Sequence, residues 1–298
     1  MGDDKTLFGA IAEGARLAKL EALRGVLEEI ERRYGRGTIM KMDAPPDADV
    51  GAIPTGCAPL DAALGIGGLA RGRLVEVFGP GSGKLVLALH AVAQVQLQGG
   101  LAALLDMEHM FDAGVAQKIG VRVDRLLVSQ PDCGEQALEI VEMMVRSGAV
   151  DLVVVNSTNT LVPKDVVAGE QTCDAQYLQA RLLSQAIRKV TGLAHRQGCT
   201  LLFVSQTQQG AKLGETGPAL NALKFYSSVR IDLREVGQVH RGPHVVGMRY
   251  LARVVKNKLA PPFASATFEV IDGGLLHHES GTTTGEETAL ADASRGTP

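Results

Sequence analysis

From residue 51 to about residue 276, short apolar runs alternate with segments whose apolar side chains recur every three or four residues. The short runs predict strands and the periodic segments predict helices. The runs at 101–105, 151–155 and 200–205 are almost continuously apolar, which is typical of parallel strands covered on both faces. The other predicted strands are 74–78, 126–129, 229–234, 245–255 and 265–271, and the predicted helices are 59–64, 84–97, 112–119, 134–147 and 174–197. This order predicts an α/β fold with a mainly parallel sheet flanked by helices, and an antiparallel extension where two strands follow each other without a helix.

A separate amphipathic helix is predicted ahead of this region. Over residues 8–34 the apolar side chains follow three-and-four spacing, and Gly35 and Gly37 end the pattern. Residues 43–49 contain two adjacent prolines, which favours a linker. The helix must therefore bury its apolar stripe by folding back or by docking on another subunit. The predicted division is 1–42 for an N-terminal helix and oligomerisation segment, 43–50 for a linker, 51–279 for the core and 280–298 for a disordered tail.

The charge and cysteine content narrow the function classes. The net charge is −3, so no strong overall field draws the chain to DNA, and nucleic-acid binding would depend on local loops. The four cysteines are far apart and form no C-x-x-C pair, which predicts reduced thiols rather than a disulfide framework or a metal site. No apolar run is long enough to span a bilayer and no cleavable signal is recognisable, so a cytoplasmic protein without membrane association is expected.

The first candidate for chemistry is a glycine-rich loop between a predicted strand and a predicted helix. In this setting, backbone N–H groups and a helix N-terminus hold the phosphates of a nucleotide. A working loop reads G-x-x-x-x-G-K-[ST], but only three residues separate Gly79 from Gly83, and Leu85 replaces the hydroxyl that would hold Mg²⁺. The sequence therefore predicts a phosphate-binding loop with impaired nucleotide chemistry. The residues predicted to contact nucleotide here are Gly79, Pro80, Gly81, Ser82, Gly83, Lys84 and Leu85.

Several longer segments together resemble the bacterial RecA recombinases. These segments are 55–79, 105–109, 129–140, 221–226 and 254–258, and the resemblance runs from about Leu20 to about Leu276. It implies a RecA-type P-loop ATPase core with loops over DNA, and an N-terminal polymerisation helix that packs on the neighbouring subunit of a filament. The RecA C-terminal domain, which helps to capture duplex DNA, is expected to be absent here.

Three positions depart from the family where it binds nucleotide. Besides Leu85, Asn156 replaces the Walker B aspartate that the resemblance implies behind Mg²⁺. Val115, three residues past the nucleotide-binding position Asp112, replaces an aromatic ring that the family places against adenine. If each lost charged contact weakens binding by about 1.5–3 kcal/mol, the two metal-side losses total about 3–6 kcal/mol, or about 10²–10⁴ in affinity. ATP and Mg²⁺ are therefore expected to bind weakly or not at all.

Two residues match the catalytic machinery of the family. Glu108 matches the carboxylate that activates water, although a strand-end acid that caps the next helix would give the same pattern. Gln206 matches the glutamine that senses the γ-phosphate, but Ser205 precedes it where the family has asparagine. The relay towards DNA is therefore only partly kept, and enzymatic activity is expected to be impaired.

The residues that would reach a neighbouring subunit are retained. In the family, a lysine pair at the positions of Lys256 and Lys258 reaches the ATP of the neighbour, and residues two apart on a strand share a face. The alternative is a solvated edge strand protected by lysines. Lys224 and Phe225 match a segment that plugs into the adjacent subunit, although a lone aromatic is more often part of a core.

The loops expected over DNA carry little positive charge. They correspond to about 164–179 and to 207–220, and the second is four residues shorter than in the family. Arg230 and Arg234 also keep family positions, although arginines are as often surface ion-pair partners. Single-stranded DNA is therefore expected to bind weakly. The candidate DNA-binding residues are Arg181, Gln208 and Lys212.

Three hypotheses follow for function. The first is a RecA-like DNA-damage response protein with a degenerate ATP site, which modulates RecA filaments, homologous recombination or SOS mutagenesis through contacts with RecA or with its own copies. Its outline also resembles the ImuA-type accessory proteins, which would add an error-prone polymerase as a partner. The alternative is an active DNA-dependent ATPase that binds single-stranded DNA and catalyses strand exchange. The third is a stable fold retained by drift without a filament partner.

Overall fold

The computed structural model describes residues 4–35, 38–39, 51–169, 175–207 and 221–277. The chain divides into two compact units, Met1–Asp49 and Val50–Pro298. The predicted linker at 43–50 and the predicted tail at 280–298 lie outside the described residues.

The first unit contains one long helix, α1 (Asp4–Tyr34), which begins before the predicted start at residue 8. Leu17, Leu20, Leu23 and Val26 follow the predicted spacing, and each side chain is more than half exposed. The helix therefore carries an exposed apolar stripe, which we call the α1 stripe.

The second unit alternates strands and helices. Its strands are β1 (Ala52–Ile53), β2 (Leu69–Ala70), β3 (Leu74–Gly79), β4 (Ala102–Asp106), β5 (Leu126–Ser129), β6 (Leu152–Asn156), β7 (Thr200–Gln206), β8 (Val229–Arg241), β9 (His244–Asn257), β10 (Ser265–Ile271) and β11 (Leu275–His277). Its helices are α2 (Ala58–Leu64), α3 (Gly83–Leu97), α4 (Ala113–Ile119), α5 (Gly134–Ser147), α6 (Lys164–Val167), α7 (Ala175–Gln197) and α8 (Asn221–Tyr226). Short 3-10 turns lie at Val123–Arg125 and Thr158–Thr160.

Nine of these strands form one sheet in the order β11-β10-β9-β8-β3-β7-β6-β4-β5. The pairs from β8 through β3 to β5 are parallel. The pairs β8–β9, β9–β10 and β10–β11 are antiparallel. The predicted α/β fold, with its mainly parallel sheet and antiparallel extension, is confirmed.

Both faces of the parallel strands are buried. Leu104 and Val154 belong to the hydrophobic core that contains α3, whereas their neighbours Leu105 and Val155 belong to the core that contains α5 and α7. Successive residues of a strand point to opposite faces, so a strand covered on both sides must be apolar at almost every position. This explains the continuous apolar runs in the sequence.

The carboxyl ends of the parallel strands place the predicted site residues at one edge of the sheet. Gly79 at the end of β3 pairs with Gln206 at the end of β7. Asp106 at the end of β4 pairs with Asn156 at the end of β6. Ligands of open parallel sheets bind outside this edge, and it is where the candidate site lies.

The lengths of the helices and the burial of the cysteines bear on two expectations from the sequence. Across the part of the chain that is described, no helix has both the length and the apolar character needed to cross a membrane. Cys57, Cys133 and Cys199 are free thiols, and Cys173 lies outside the described residues. Burial raises the pKa of Cys57 to about 11 and that of Cys199 to about 12, so both stay protonated and unreactive near neutral pH.

Candidate nucleotide site

A cavity of about 200 Å³ lies at the carboxyl edge of the parallel strands. Both predicted catalytic residues and most of the predicted nucleotide-binding residues line it. Gly79 is the last residue of β3, and Gly83 is the first residue of α3. The predicted residues in its wall are Gly81, Ser82, Lys84, Leu85, Glu108, Asp112, Asn156 and Gln206. The rest of the wall is aliphatic and consists of Val86, Leu89, Met110, Val115 and Val204.

Lys84 is bound to its own loop. Its side chain is buried, and Nζ donates to the carbonyl oxygens of Gly79 at 2.7 Å and Gly81 at 2.5 Å and to Oε1 of Gln206 at 2.9 Å. Burial lowers the pKa of Lys84 to about 8, against the attraction of nearby carboxylates, of which Glu108 acts most strongly. The lysine thus has three acceptors, and an incoming phosphate must compete with them.

Phosphate binding should be coupled to proton uptake by Lys84. With a pKa of about 8 the ammonium group is about half ionised at pH 8, and an anion beside it raises that pKa. We expect the binding of sulfate, an anion that does not itself titrate in this pH range, to be accompanied by uptake of about half a proton per site at pH 8 and less than a tenth at pH 6.5. Calorimetric titrations in buffers of different ionisation enthalpy measure this uptake. A binding enthalpy at pH 8 that is the same in all buffers would contradict it.

The metal side of the cavity offers few oxygen ligands. Leu85 presents an aliphatic side chain. Asn156 is buried, and its Nδ2 donates to Oδ1 of Asp106 at 3.4 Å. The Asp106 carboxylate also accepts the backbone N–H groups of Met110 at 3.2 Å and Phe111 at 3.0 Å. Mg²⁺ prefers carboxylate, hydroxyl and water oxygens, and Leu85 and Asn156 supply neither a hydroxyl nor a carboxylate at these two positions.

Glu108 and Asp112 have separate tasks. Oγ of Ser157 donates a hydrogen bond to the Glu108 carboxylate, which lines the cavity. The cap of α4 is Asp112, whose Oδ1 accepts the N–H of Val115 at 2.9 Å. The interpretation of Glu108 as a helix cap is therefore wrong. The cap uses Oδ1 of Asp112, and the residue also lines the cavity.

Gln206 is held by residues that the sequence did not point to. Its backbone N–H donates to Oδ1 of Asn159 at 2.7 Å, and its carbonyl accepts Nδ2 of Asn159 at 3.1 Å. Next to it, the hydroxyls of Ser205 and Thr158 are 2.7 Å apart. The turn Thr158–Thr160 therefore fixes the end of β7. Polar residues just after the apolar run of β6 were the only sequence signal for it.

The predicted interface residues lie together around α8. Phe225 is 74 % exposed, so it is not part of the core of this chain. Nζ of Lys256 donates to the carbonyls of Lys224 at 2.6 Å and Phe225 at 3.0 Å, which caps the C-terminal end of α8. Lys258 follows the last residue of β9 and is exposed.

β9 lies between β8 and β10, but its pairing with β10 ends at Arg253. In the strand register Lys256 pairs with Arg230 of β8, and Lys258 follows the strand, so the edge-strand interpretation of the lysine pair stays a prediction. Burial, followed by the charges of Lys258 and Arg230, lowers the pKa of Lys256 to about 8. The two ammonium groups are therefore close enough to repel each other, and a nearby anion would relieve this repulsion.

The predicted DNA-binding residues are only partly described. Arg181 is exposed on α7, whereas Gln208 and Lys212 lie outside the described residues. Arg230 is buried and pairs with Glu76 of β3, and Arg234 pairs with Asp232. Both arginines therefore form ion pairs, and the pair of Arg230 with Glu76 is buried inside the protein.

Comparison with known proteins places this geometry in a family. The model of the RecA N-terminal domain matches residues 21–276. The chain is 49 % identical over 265 residues to Protein RecA of Geobacter sulfurreducens, covering 87 % of this chain and 78 % of that protein. It is 50 % identical over 261 residues to Protein RecA of Geobacter metallireducens, with 85 % and 76 % covered. It is 49 % identical over 260 residues to Protein RecA of Acinetobacter baumannii, with 86 % and 74 % covered. A domain match over most of the chain, together with this identity to three RecA proteins, means that the chain belongs to the bacterial RecA family.

Proposed function

We propose that this RecA-family protein acts in the DNA-damage response by modulating RecA filaments through protein contacts, with an ATP site of its own that has lost most of its affinity for Mg-ATP. The observation that carries the proposal is the metal side of the cavity, where Leu85 supplies no oxygen and Asn156 donates to Asp106. The outcome would be altered homologous recombination or SOS mutagenesis. An error-prone polymerase would be a second partner.

Two features oppose tight binding of Mg-ATP: the missing metal ligands and the shortened phosphate loop. The metal ligands that a P-loop site uses are a hydroxyl after the loop and a carboxylate on a neighbouring strand, and the corresponding side chains here, Leu85 and Asn156, are aliphatic and amide. One residue fewer between Gly79 and Gly83 shortens the loop by about 3.5 Å of backbone. The Lys84 ammonium closes the shortened loop on itself through Gly79 and Gly81.

Exposed apolar side chains support the proposed protein contacts. The α1 stripe and Phe225 place large apolar side chains in water, and such groups in a soluble chain commonly mark contact sites. Near Phe225, the cationic Lys256 and Lys258 could meet an anionic group of a partner. The partner would be RecA or a second copy of this chain.

One observation favours the alternative, an active DNA-dependent ATPase. Lys84, Glu108 and Gln206 line the same cavity, and Lys84 contacts Gln206 directly. A loop that opens on binding would bring a lysine, a carboxylate and a γ-phosphate sensor to one nucleotide.

Turnover and its effect on RecA distinguish these functions. With Mg-ATP and single-stranded DNA, we expect the protein to hydrolyse at less than about a hundredth of the rate of RecA from the same organism, because two metal contacts are missing. Added to RecA filaments, it should change the RecA rate, and Lys256→Ala/Lys258→Ala should reduce that change about fivefold or more.

The matched control is Lys118→Ala/Lys189→Ala, which removes two exposed lysines from α4 and α7. DNA-stimulated hydrolysis close to the RecA rate would establish the alternative. If the protein neither hydrolyses ATP nor changes the hydrolysis rate of RecA, the third hypothesis applies, a stable fold without a filament partner.

A further inference from the structure

Two glycines of the phosphate loop are in direct contact with the antiparallel hairpin formed by β8 and β9. Gly81 has φ +84°, and a Cβ built on it would lie 2.2 Å from Oε1 of Glu235 on β8. A Cβ on Gly83 would lie 2.5 Å from the ring of Tyr250 on β9. Real Cβ atoms do not approach other atoms this closely, so the positions that side chains would take are filled by Glu235 and Tyr250.

Tyr250 is firmly held where it meets the loop. It is 3 % exposed, and its ring stacks on Phe268 with centroids 5.9 Å apart and planes 23° apart. Its hydroxyl donates to Oε1 of Glu235 at 3.4 Å. Burial and the Glu235 charge raise the pKa of Tyr250, so the hydroxyl keeps its proton and remains a donor. One tyrosine therefore packs against the loop at Gly83 and contacts the hairpin residue Glu235.

Glu235 adds negative charge at a loop that must accept a polyanion. Its carboxylate attracts the Lys84 ammonium, together with those of Glu108 and Asp232. Lys84 is already satisfied by loop carbonyls and Gln206. A phosphate that approaches the loop would meet this carboxylate at Gly81 and could not displace it without moving Tyr250 as well.

We infer that Glu235 and Tyr250 are positioning residues that hold the shortened loop closed around Lys84, and that the Glu235 carboxylate selects against polyphosphate. The inference rests on the proposed weak binding of nucleotide and gives it a second cause besides the lost metal ligands. The charge acts on any polyphosphate, with or without a metal ion, so it can be tested in the absence of Mg²⁺.

The probe is inorganic tripolyphosphate in excess chelator at pH 6.5, where Lys84 is charged because its pKa is about 8. Glu235→Gln keeps the shape and an acceptor oxygen but removes the charge. We expect it to tighten binding about threefold to tenfold in about 20 mM salt and less than twofold in about 0.5 M salt, because Glu235 is exposed and screened. The matched control is Glu139→Gln on α5, which changes the net charge equally and should leave affinity unchanged.

Amide hydrogen exchange tests the positioning role of Tyr250. Tyr250→Phe retains the stacked ring and loses the hydroxyl, so it should fold, while amide hydrogen exchange of the loop from Gly81 to Lys84 should accelerate about threefold or more. Exchange in β6 should not change. An unaltered loop would overturn the role of Tyr250.

The two proposals fail in distinguishable ways. If Glu235→Gln and Glu139→Gln bind tripolyphosphate alike, or if the gain of Glu235→Gln persists in high salt, the role of the carboxylate is overturned. If the unmodified protein binds Mg-ATP tightly, the proposed function fails whatever Glu235→Gln does.

Discussion

Restoring both metal-side groups, by Leu85→Thr together with Asn156→Asp, is expected to tighten Mg-ATP binding by about 10²–10⁴-fold. The hydroxyl and the carboxylate each add a charge-assisted contact worth about 1.5–3 kcal/mol. The new carboxylate would face Asp106, which now accepts from the Asn156 amide at 3.4 Å. Two buried carboxylates this close repel each other unless a cation lies between them. The gain should therefore depend on the metal, which equilibrium binding of labelled ATP with Mg²⁺ and with chelator measures.

A sharp control replaces threonine by its isostere. Leu85→Val combined with Asn156→Asp has the same shape as the restored site but lacks the hydroxyl, so it should regain only about half of the free energy. In chelator, the restored variant and the valine control should bind ATP alike and more weakly than the original protein, because the new carboxylate repels the phosphates when no metal ion lies between them. A restored variant no tighter than the valine control would mean that the hydroxyl contributes nothing. A restored variant no tighter than the original protein would mean that the two metal-side positions do not limit the affinity for Mg-ATP.

The long elements of the fold are predictable because burial on two faces leaves an unambiguous pattern. The apolar runs of β4, β6 and β7 and the periodic positions of α5 and α7 lie close to their predicted ranges. The hairpin is longer than predicted, since β8 continues to Arg241 and β9 begins at His244. Its outer residues are mostly exposed or half-buried, so no alternation of apolar and polar positions indicates a strand there. Two-residue strands such as β1, and the six-residue α8, are too short to show a period.

For the candidate site, the sequence predicts which residues line the cavity but not which residues they contact. The glycine loop and the family resemblance predict that Lys84, Asn156 and Gln206 share one pocket, and they do. Nothing in the sequence indicates that Lys84 would bind a side chain 122 positions away. Glu235 and Tyr250 also escape notice, because their effect comes from a close approach of backbone and side chain rather than from a motif.

Arg230 shows how an isolated charge should be interpreted. The sequence leaves a surface ion pair as one interpretation of Arg230, yet the residue is 3 % exposed. Its partner, Glu76, lies opposite it on the neighbouring strand β3. A single acid inside an otherwise apolar strand is the sequence feature that indicates a buried pair, since burial of a lone charge is too costly.

Replacing this arginine alone, by Arg230→Met, is expected to lower the free energy of unfolding by about 3–5 kcal/mol at pH 7. Nε of Arg230 donates to Oε2 of Glu76 at 2.5 Å, and its guanidinium lies 4.3 Å from the centroid of the Phe78 ring. Burial already raises the pKa of Glu76, and Arg230 opposes this shift. Without the arginine, the pKa rises further. The loss should therefore be complete above that pKa and should shrink as the pH falls towards the ordinary glutamate value, which urea unfolding between pH 5 and pH 7 would measure.

Two variants separate the cost of an orphaned carboxylate from the value of the ion pair itself. Glu76→Met/Arg230→Met removes both charges, and its stability should return to within about 1 kcal/mol of the original, since one buried Arg230 nitrogen, Nη2, has no hydrogen-bond partner among the described residues. Arg249→Met is the surface control, because this arginine pairs with Glu269 while 52 % of its side chain is exposed. It should cost less than about 1 kcal/mol. If the double replacement is no more stable than Arg230→Met, the loss comes from packing around the guanidinium, and the carboxylate of Glu76 is not its source.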